Sequence, residues 1–161
     1  MLIRPAVATD FDVIAALTNH YIVNTAIHFG LEPVTPQEMQ ESWQKTRDQF
    51  PFIIAERDGR FAGYAKVSTW RERKAYDNTC ESGIYIDPAF HGKGLGKSMY
   101  RVLLNLCRER GFHTVVAGVA LPNEVSCRLH ESCGFVSTGV FRQVGWKFDM
   151  WHDARFFQIM L

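Results

Sequence analysis

Apolar side chains recur along this chain with two periods, and the switches between them outline the elements. Leu2 to Arg4 reads as a short strand that Pro5 ends. Thr9 and Asp12 form an S/T-x-x-D helix start; Phe11, Ile14, Leu17 and Tyr21 then recur at helical spacing to about Asn24. The stretch from Thr25 to Val34 has no period. Thr35-Pro36-Gln37-Glu38 opens a second helix, with Thr at the N-cap, Pro at the first position, Glu at the third, and Met39 and Trp43 as its apolar stripe. Phe52 to Arg57 and Phe61 to Trp70 alternate as strands around an Asp58-Gly59 turn. A polar loop with Arg71, Arg73 and Lys74 leads to a strand over Cys80 to Ile86, closed by Asp87-Pro88. A glycine-rich loop then opens a helix with Met99, Val102, Leu103, Leu106 and Cys107 inward, ended by Gly111. Thr114 to Val119 is a continuous apolar run, the mark of a central strand buried on both faces. Asn123 caps a further helix, with Val125 and Leu129 expected inward and Gly134 at its end. Two strands close the pattern, near Phe135 to Val140 and Ala154 to Met160, separated by a loop carrying Trp146, Phe148 and Trp151. The order β-α-α-β-β-β-α-β-α-β-β gives one mixed sheet with helices on its faces.

Composition narrows the function classes. A chain of 161 residues with 47% hydrophobic and 22% charged side chains fits one domain with one core. Lys and Arg total 18 and Asp and Glu 17, so no global charge points to nucleic acid or to an anionic membrane, and any anion site is local. Cys80, Cys107, Cys127 and Cys133 form no C-x-x-C pair and no zinc spacing, so no metal is expected. Met1 to Pro5 starts no signal peptide, and no apolar run approaches the roughly 20 residues of a membrane span. The expectation is a soluble cytoplasmic protein.

The most informative segment is Ile84 to Ser98, where a strand runs through His91-Gly92-Lys93-Gly94-Leu95-Gly96 into a helix N-terminus. Glycines let backbone N–H groups approach a ligand, and the helix end adds unpaired N–H groups and partial positive charge, which together suit phosphate. A Walker A loop fails here because its required first Gly falls on His91. A Rossmann fingerprint fails because Gly92, Gly94 and Gly96 alternate as G-x-G-x-G, past mid-chain. The pattern resembles the pyrophosphate loop of GNAT acetyltransferases, Q/R-x-x-G-x-G/A, with His91 in the first position, then Gly94 and Gly96.

The resemblance extends over most of the chain, to the phosphinothricin and methionine sulfoximine or sulfone acetyltransferase branch of that family. Ile3-Arg4-Pro5-Ala6, Asn19-His20-Tyr21-Ile22 and Glu32 to Glu38 carry it at the start. Trp70-Arg71 through Asp77, Glu81-Ser82 and Leu95-Gly96 carry it in the centre. Leu121-Pro122-Asn123, Arg128 to Glu131, Gly145 to Lys147 and Trp151-His152-Asp153 carry it towards the end. It implies the GNAT fold: a single α/β (α+β) domain over residues 1–161 with a mixed, mostly antiparallel central sheet flanked by about four helices. It also implies acetyl-CoA as co-substrate, a small amino-acid-like acceptor and a homodimer.

Glu81 begins the strand that leads into the glycine loop, so it can face an acceptor amine, and the family's catalytic Glu falls on this position. By the resemblance, Ile84, Tyr85 and Ile86 offer backbone groups to the pantetheine arm. His91, Gly92, Lys93, Gly94, Leu95 and Gly96 hold the pyrophosphate, and Asn123 and Ser126 reach the arm. Arg71, Glu72 and Arg73 stand where the family meets the acid groups of its substrate, and guanidinium forks suit carboxylate and phosphinate. His130 is placed to line the same pocket. Phe135 follows Gly134 where many of these enzymes have a Tyr that protonates the leaving thiolate, and Phe has no proton to give. The competing readings are acetylation of a protein N-terminus or a polyamine, a non-catalytic acyl-CoA-binding module and, last, a nucleotide hydrolase.

Overall fold

The first helix does not begin at Thr9. In a computed structural model describing all residues Met1–Leu161, a 3-10 turn over Ala8–Asp10 precedes α1 (Phe11–Asn24). Asp10 takes the N-cap position in place of Thr9, although its side chain makes no capping bond to α1, and it is placed there for a physical reason. Its carboxylate accepts from Val7 N at 2.7 Å and from both terminal Arg4 guanidinium nitrogens at 2.8 Å. That charge-assisted fork ties β1 (Leu2–Pro5) to the helix start, and a Thr hydroxyl cannot make it. The start of α2 (Pro36–Thr46) matches the sequence reading in full: Thr35 Oγ1 accepts from Glu38 N at 3.1 Å, and Thr35 N donates to Glu38 Oε2 at 2.8 Å.

Strands β2 (Phe52–Arg57), β3 (Arg60–Thr69), β4 (Thr79–Ile86), β5 (Thr114–Ala120), β6 (Val136–Lys147) and β7 (Met150–Met160) complete a seven-stranded sheet, ordered β1-β2-β3-β4-β5-β7-β6. Only β4 and β5 run parallel. The two-residue strand period splits the core: Ile53 and Ala55 face α3 (Leu95–Glu109), whereas Ile54 joins Phe11, Ile14, Leu17 and Tyr21 under α1.

Two expectations change in the C-terminal third. The aromatic stretch is not a loop. β6 and β7 form one long hairpin whose turn is Phe148-Asp149, both at positive φ, while Trp146 pairs with Trp151. Bulges near Thr138 and Arg142–Val144 break the alternation that would have marked β6 as a strand. In α4 (Glu124–Ser132) the inward residues are Cys127 and His130, while Val125 is 78% exposed and Leu129 packs at the core's rim. His130 is admitted to the interior because every polar atom of its ring finds a partner there.

The segment between α1 and α2 is irregular but held. Asn19 pairs with both N and O of Val34 at 2.8 Å, and the buried Lys147 ammonium donates to Ile22 O and His28 O. Ile27 and His28 are thereby fixed over the sheet's centre.

Candidate active site

Pairing between β4 and β5 runs from Thr79↔Thr114 to Ser82↔Ala117 and stops, although β4 continues to Ile86 and β5 to Ala120. Beyond Ser82 the two parallel strands splay. Asp87 N donates to Ala62 O at 2.9 Å, so by antiparallel alternation Tyr85 and Gly83 turn their backbone groups to β3. Ile84 and Ile86 turn theirs into the splay. Of the three strand residues assigned to a pantetheine arm, two therefore present backbone groups and Tyr85 does not. Ile86 O is already taken: Tyr21 OH donates to it at 2.6 Å and His91 Nε2 at 3.0 Å.

The glycine loop forms the far wall of a groove of about 570 Å³, which runs from Ile84 past Leu95 to Ser132. Gly92 and Gly94 adopt φ of 72° and 73°, the left-handed region that glycine tolerates, and a Cβ on either would meet nothing. Their backbone is open to a ligand. Gly94 caps α3 with no side-chain partner, so the first N–H groups of the helix are free for an anion. Gly96 serves differently: a Cβ there would lie 2.8 Å from Leu129 Cδ2, so this glycine lets α3 and α4 meet. Lys93 Nζ donates to Ala89 O at 2.9 Å, and the His91 ring anchors the end of β4. Tyr21, Ile27 and Lys97 also line the groove, unforeseen in the sequence because two come from elements more than fifty residues away.

Where the strands part, a second hollow of about 210 Å³ holds Glu81. Asn123 and Ser126 line both spaces, so hollow and groove are continuous. Asn123 Oδ1 also accepts from Ser126 N at 3.1 Å as the N-cap of α4. Glu81 is half-buried and accepts no hydrogen bond from the protein; burial raises its pKa above the ordinary glutamate value, and the nearby Arg71 charge counters that in part. Two glycines give it room. Gly83 sits beside it on β4, and an added Cβ at Gly118 would come 3.6 Å from Glu81 Oε1.

His130 closes the α3 side of the hollow. Its Nδ1 lies 2.7 Å from Ser126 O, which only accepts, so the proton is on Nδ1 and Nε2 accepts from Tyr100 OH at 2.7 Å. Tyr100 reaches Ser82 Oγ at 3.2 Å, and Phe135 packs edge-on against both rings. The expected acid-binding loop is more dispersed. Arg71 stacks on Trp70 at 4.6 Å and, with Glu72, lines a separate hollow beside Tyr76 and Asp77. Arg73 is exposed and lines neither the groove nor the Glu81 hollow.

A helix N-terminus opening onto a groove, splayed strands with free backbone edges and a partnerless carboxylate suit an acyl-CoA and an amine together. Comparison with known proteins agrees. The chain is 40% identical over 156 residues to a phosphinothricin N-acetyltransferase of Streptomyces viridochromogenes, covering 97% of this chain and 85% of the relative. It superposes on a phosphinothricin acetyltransferase of Sinorhizobium meliloti in complex with acetyl-CoA, with a TM-score of 0.95 and 30% identity over 99% of this chain and 88% of that one. It superposes equally well on a ribosomal-protein-alanine N-acetyltransferase from Brucella melitensis, with a TM-score of 0.96 and 32% identity over the whole of both chains. The profile of the acetyltransferase (GNAT) family matches residues 17–135, and the chain belongs to that family.

Proposed function

We propose that the protein moves the acetyl group of acetyl-CoA to the α-amine of a small acidic amino-acid analogue of the phosphinothricin or methionine sulfoximine kind. The observation that carries this reading is Glu81: a half-buried carboxylate with no protein partner, standing where the splayed strands join the glycine-loop groove to a hollow of amino-acid size. Acetyl-CoA supplies an acyl group activated as a thioester. The N–H groups at Gly92, Gly94 and the start of α3 hold its pyrophosphate, and the free edge of Ile84 with the N–H of Ile86 aligns its arm. Glu81 takes the proton of the acceptor ammonium, directly or through a water, and frees the lone pair to attack the thioester carbonyl; the C–N bond forms, the C–S bond breaks, and CoA leaves as a thiolate that takes a proton from water. A pKa raised by burial brings the carboxylate closer to the amine it must deprotonate. Arg71, whose charge reaches Glu81, belongs to the acceptor side of this site.

Likeness to the Brucella enzyme favours a second reading, a protein N-terminus as acceptor. An acceptor screen with acetyl-CoA and a thiol readout separates the two. Phosphinothricin, methionine sulfoximine and methionine sulfone are expected to turn over in preference to an alanine-ended peptide and spermidine; the reverse order would displace the amino-acid reading. The same proposal includes a cytoplasmic homodimer. Four free thiols suit a reducing compartment, and the β6–β7 hairpin exposes Phe141, Trp146, Phe148, Met150 and Trp151, an apolar surface suited to a second copy.

A further inference from the structure

Lys66 occupies the middle of β3, an interior strand whose neighbours Tyr64, Ala65 and Val67 are buried. It pairs across the sheet with Gly83, and Ser68 pairs with Glu81. Lys66 and Glu81 therefore share one face as diagonal neighbours, about 7–8 Å apart. Gly83 leaves the space between them open, since a Cβ there would touch only Tyr85, at 3.5 Å. Lys66 and Ser68 also line a groove walled by Met39, Trp43, Phe52 and Tyr64, so they stand at its junction with the Glu81 hollow. Lys66 is half-buried, yet none of the ion pairs includes it. Its one close partner is the face of Phe52, with the ring centre 6.0 Å away. The titratable groups of the groove do not pair with it: the Glu38 carboxylate is turned to Thr35, and His28 has its pKa lowered by burial and by Lys147 and Lys66. Burial likewise lowers the pKa of Lys66. A cation held on an interior strand with no protein anion in contact is costly unless a ligand supplies one.

We propose that Lys66 receives an acidic group of the acceptor, a carboxylate or a phosphinate, and thereby turns the α-amine toward Glu81. This rests on the acceptor reading given above. Lys66 is then a specificity-determining residue, acting on the half of the substrate that does not react.

Steady-state kinetics of wild type, Lys66→Met, Lys66→Gln and Lys66→Arg test it, with phosphinothricin, its α-carboxamide, methionine sulfone and spermidine as acceptors. Lys66→Met is expected to raise KM for phosphinothricin about tenfold to a hundredfold, the worth of a hydrogen bond to a charged group. KM for acetyl-CoA stays put, and Lys66→Arg recovers part of the loss. Lys66→Gln gives the same result where the Met variant folds poorly, as thermal melting will show. If the α-carboxylate is the group received, the effect vanishes with the carboxamide; if the phosphinate is, it vanishes with methionine sulfone, whose side chain is neutral. Equal changes for every acceptor, or none, overturn the role of Lys66 while leaving the acceptor reading intact. A wild-type enzyme that prefers spermidine overturns both.

Discussion

At the scale of single residues, the site depends on side chains that the protein leaves without partners. Glu81 is the sharpest case. Replacing it with Gln keeps its shape and removes the proton acceptor, so kcat near neutral pH is expected to fall by about 10²–10⁴, with the loss shrinking at high pH where more amine is already free. Stability should move the other way. A carboxyl whose folded pKa lies above its unfolded value contributes stability below the unfolded value of 4.5 and loses it as pH rises through the raised one. Above 4.5 Glu81 is therefore a burden, and Glu81→Gln should melt higher than wild type at pH 7–8, with the gap closing below 4.5. A variant that keeps its kcat and does not gain in melting temperature would remove Glu81 from both roles. The two arginines expected to act together are predicted to separate. Arg71→Ala should raise acceptor KM more than Arg73→Ala, because only the Arg71 charge reaches Glu81, while Arg73 faces solvent. Parallel kinetic titrations of both variants decide this.

At the scale of elements, the glycine loop has two jobs that its spacing presents as one. Gly94 holds a left-handed turn with open space around it, whereas Gly96 is a packing residue between α3 and α4. Gly94→Ala forces a side chain into the left-handed region at about 1–2 kcal/mol. If the loop relaxes to relieve that strain, acetyl-CoA affinity should drop by about 5- to 30-fold with little change in melting temperature. Gly96→Ala drives Cβ into Leu129 and should instead lower the melting temperature, with non-additive coupling to Leu129→Ala in a double-mutant cycle. Calorimetry and thermal melts on the two variants test the division; identical profiles would argue for a single role. The helix starts were unequally legible. Thr35 and Glu38 satisfy each other within four residues, so the sequence alone contains the whole cap. Asp10 is fixed by Arg4, which is in turn held by Glu56 on β2, and that arrangement exists only once the strands pair.

At the scale of the whole molecule, the proposed homodimer is tested at the exposed aromatic hairpin. Trp146 and Trp151, each about half exposed and 5.1 Å apart, form the centre of that surface. Trp151→Glu should shift sedimentation from dimer to monomer and leave the monomer folded; an unchanged coefficient would place the interface elsewhere. The order of elements, the central apolar strand and the glycine loop at a helix start were written in local periodicity and turn chemistry, which act over a few residues, whereas Glu81 was singled out by its place on the strand before that loop together with the family resemblance. What no local pattern contained was the splay of β4 from β5, because its extent is set by β3 and β7 holding the outer edges of both strands. Nor could it contain the placement of Lys66, Tyr100 and His130 around one hollow, since each arrives from a different element. The strand period fixes which face each side chain takes, but only the register across the sheet decides that a lysine on β3 stands diagonal to the carboxylate on β4.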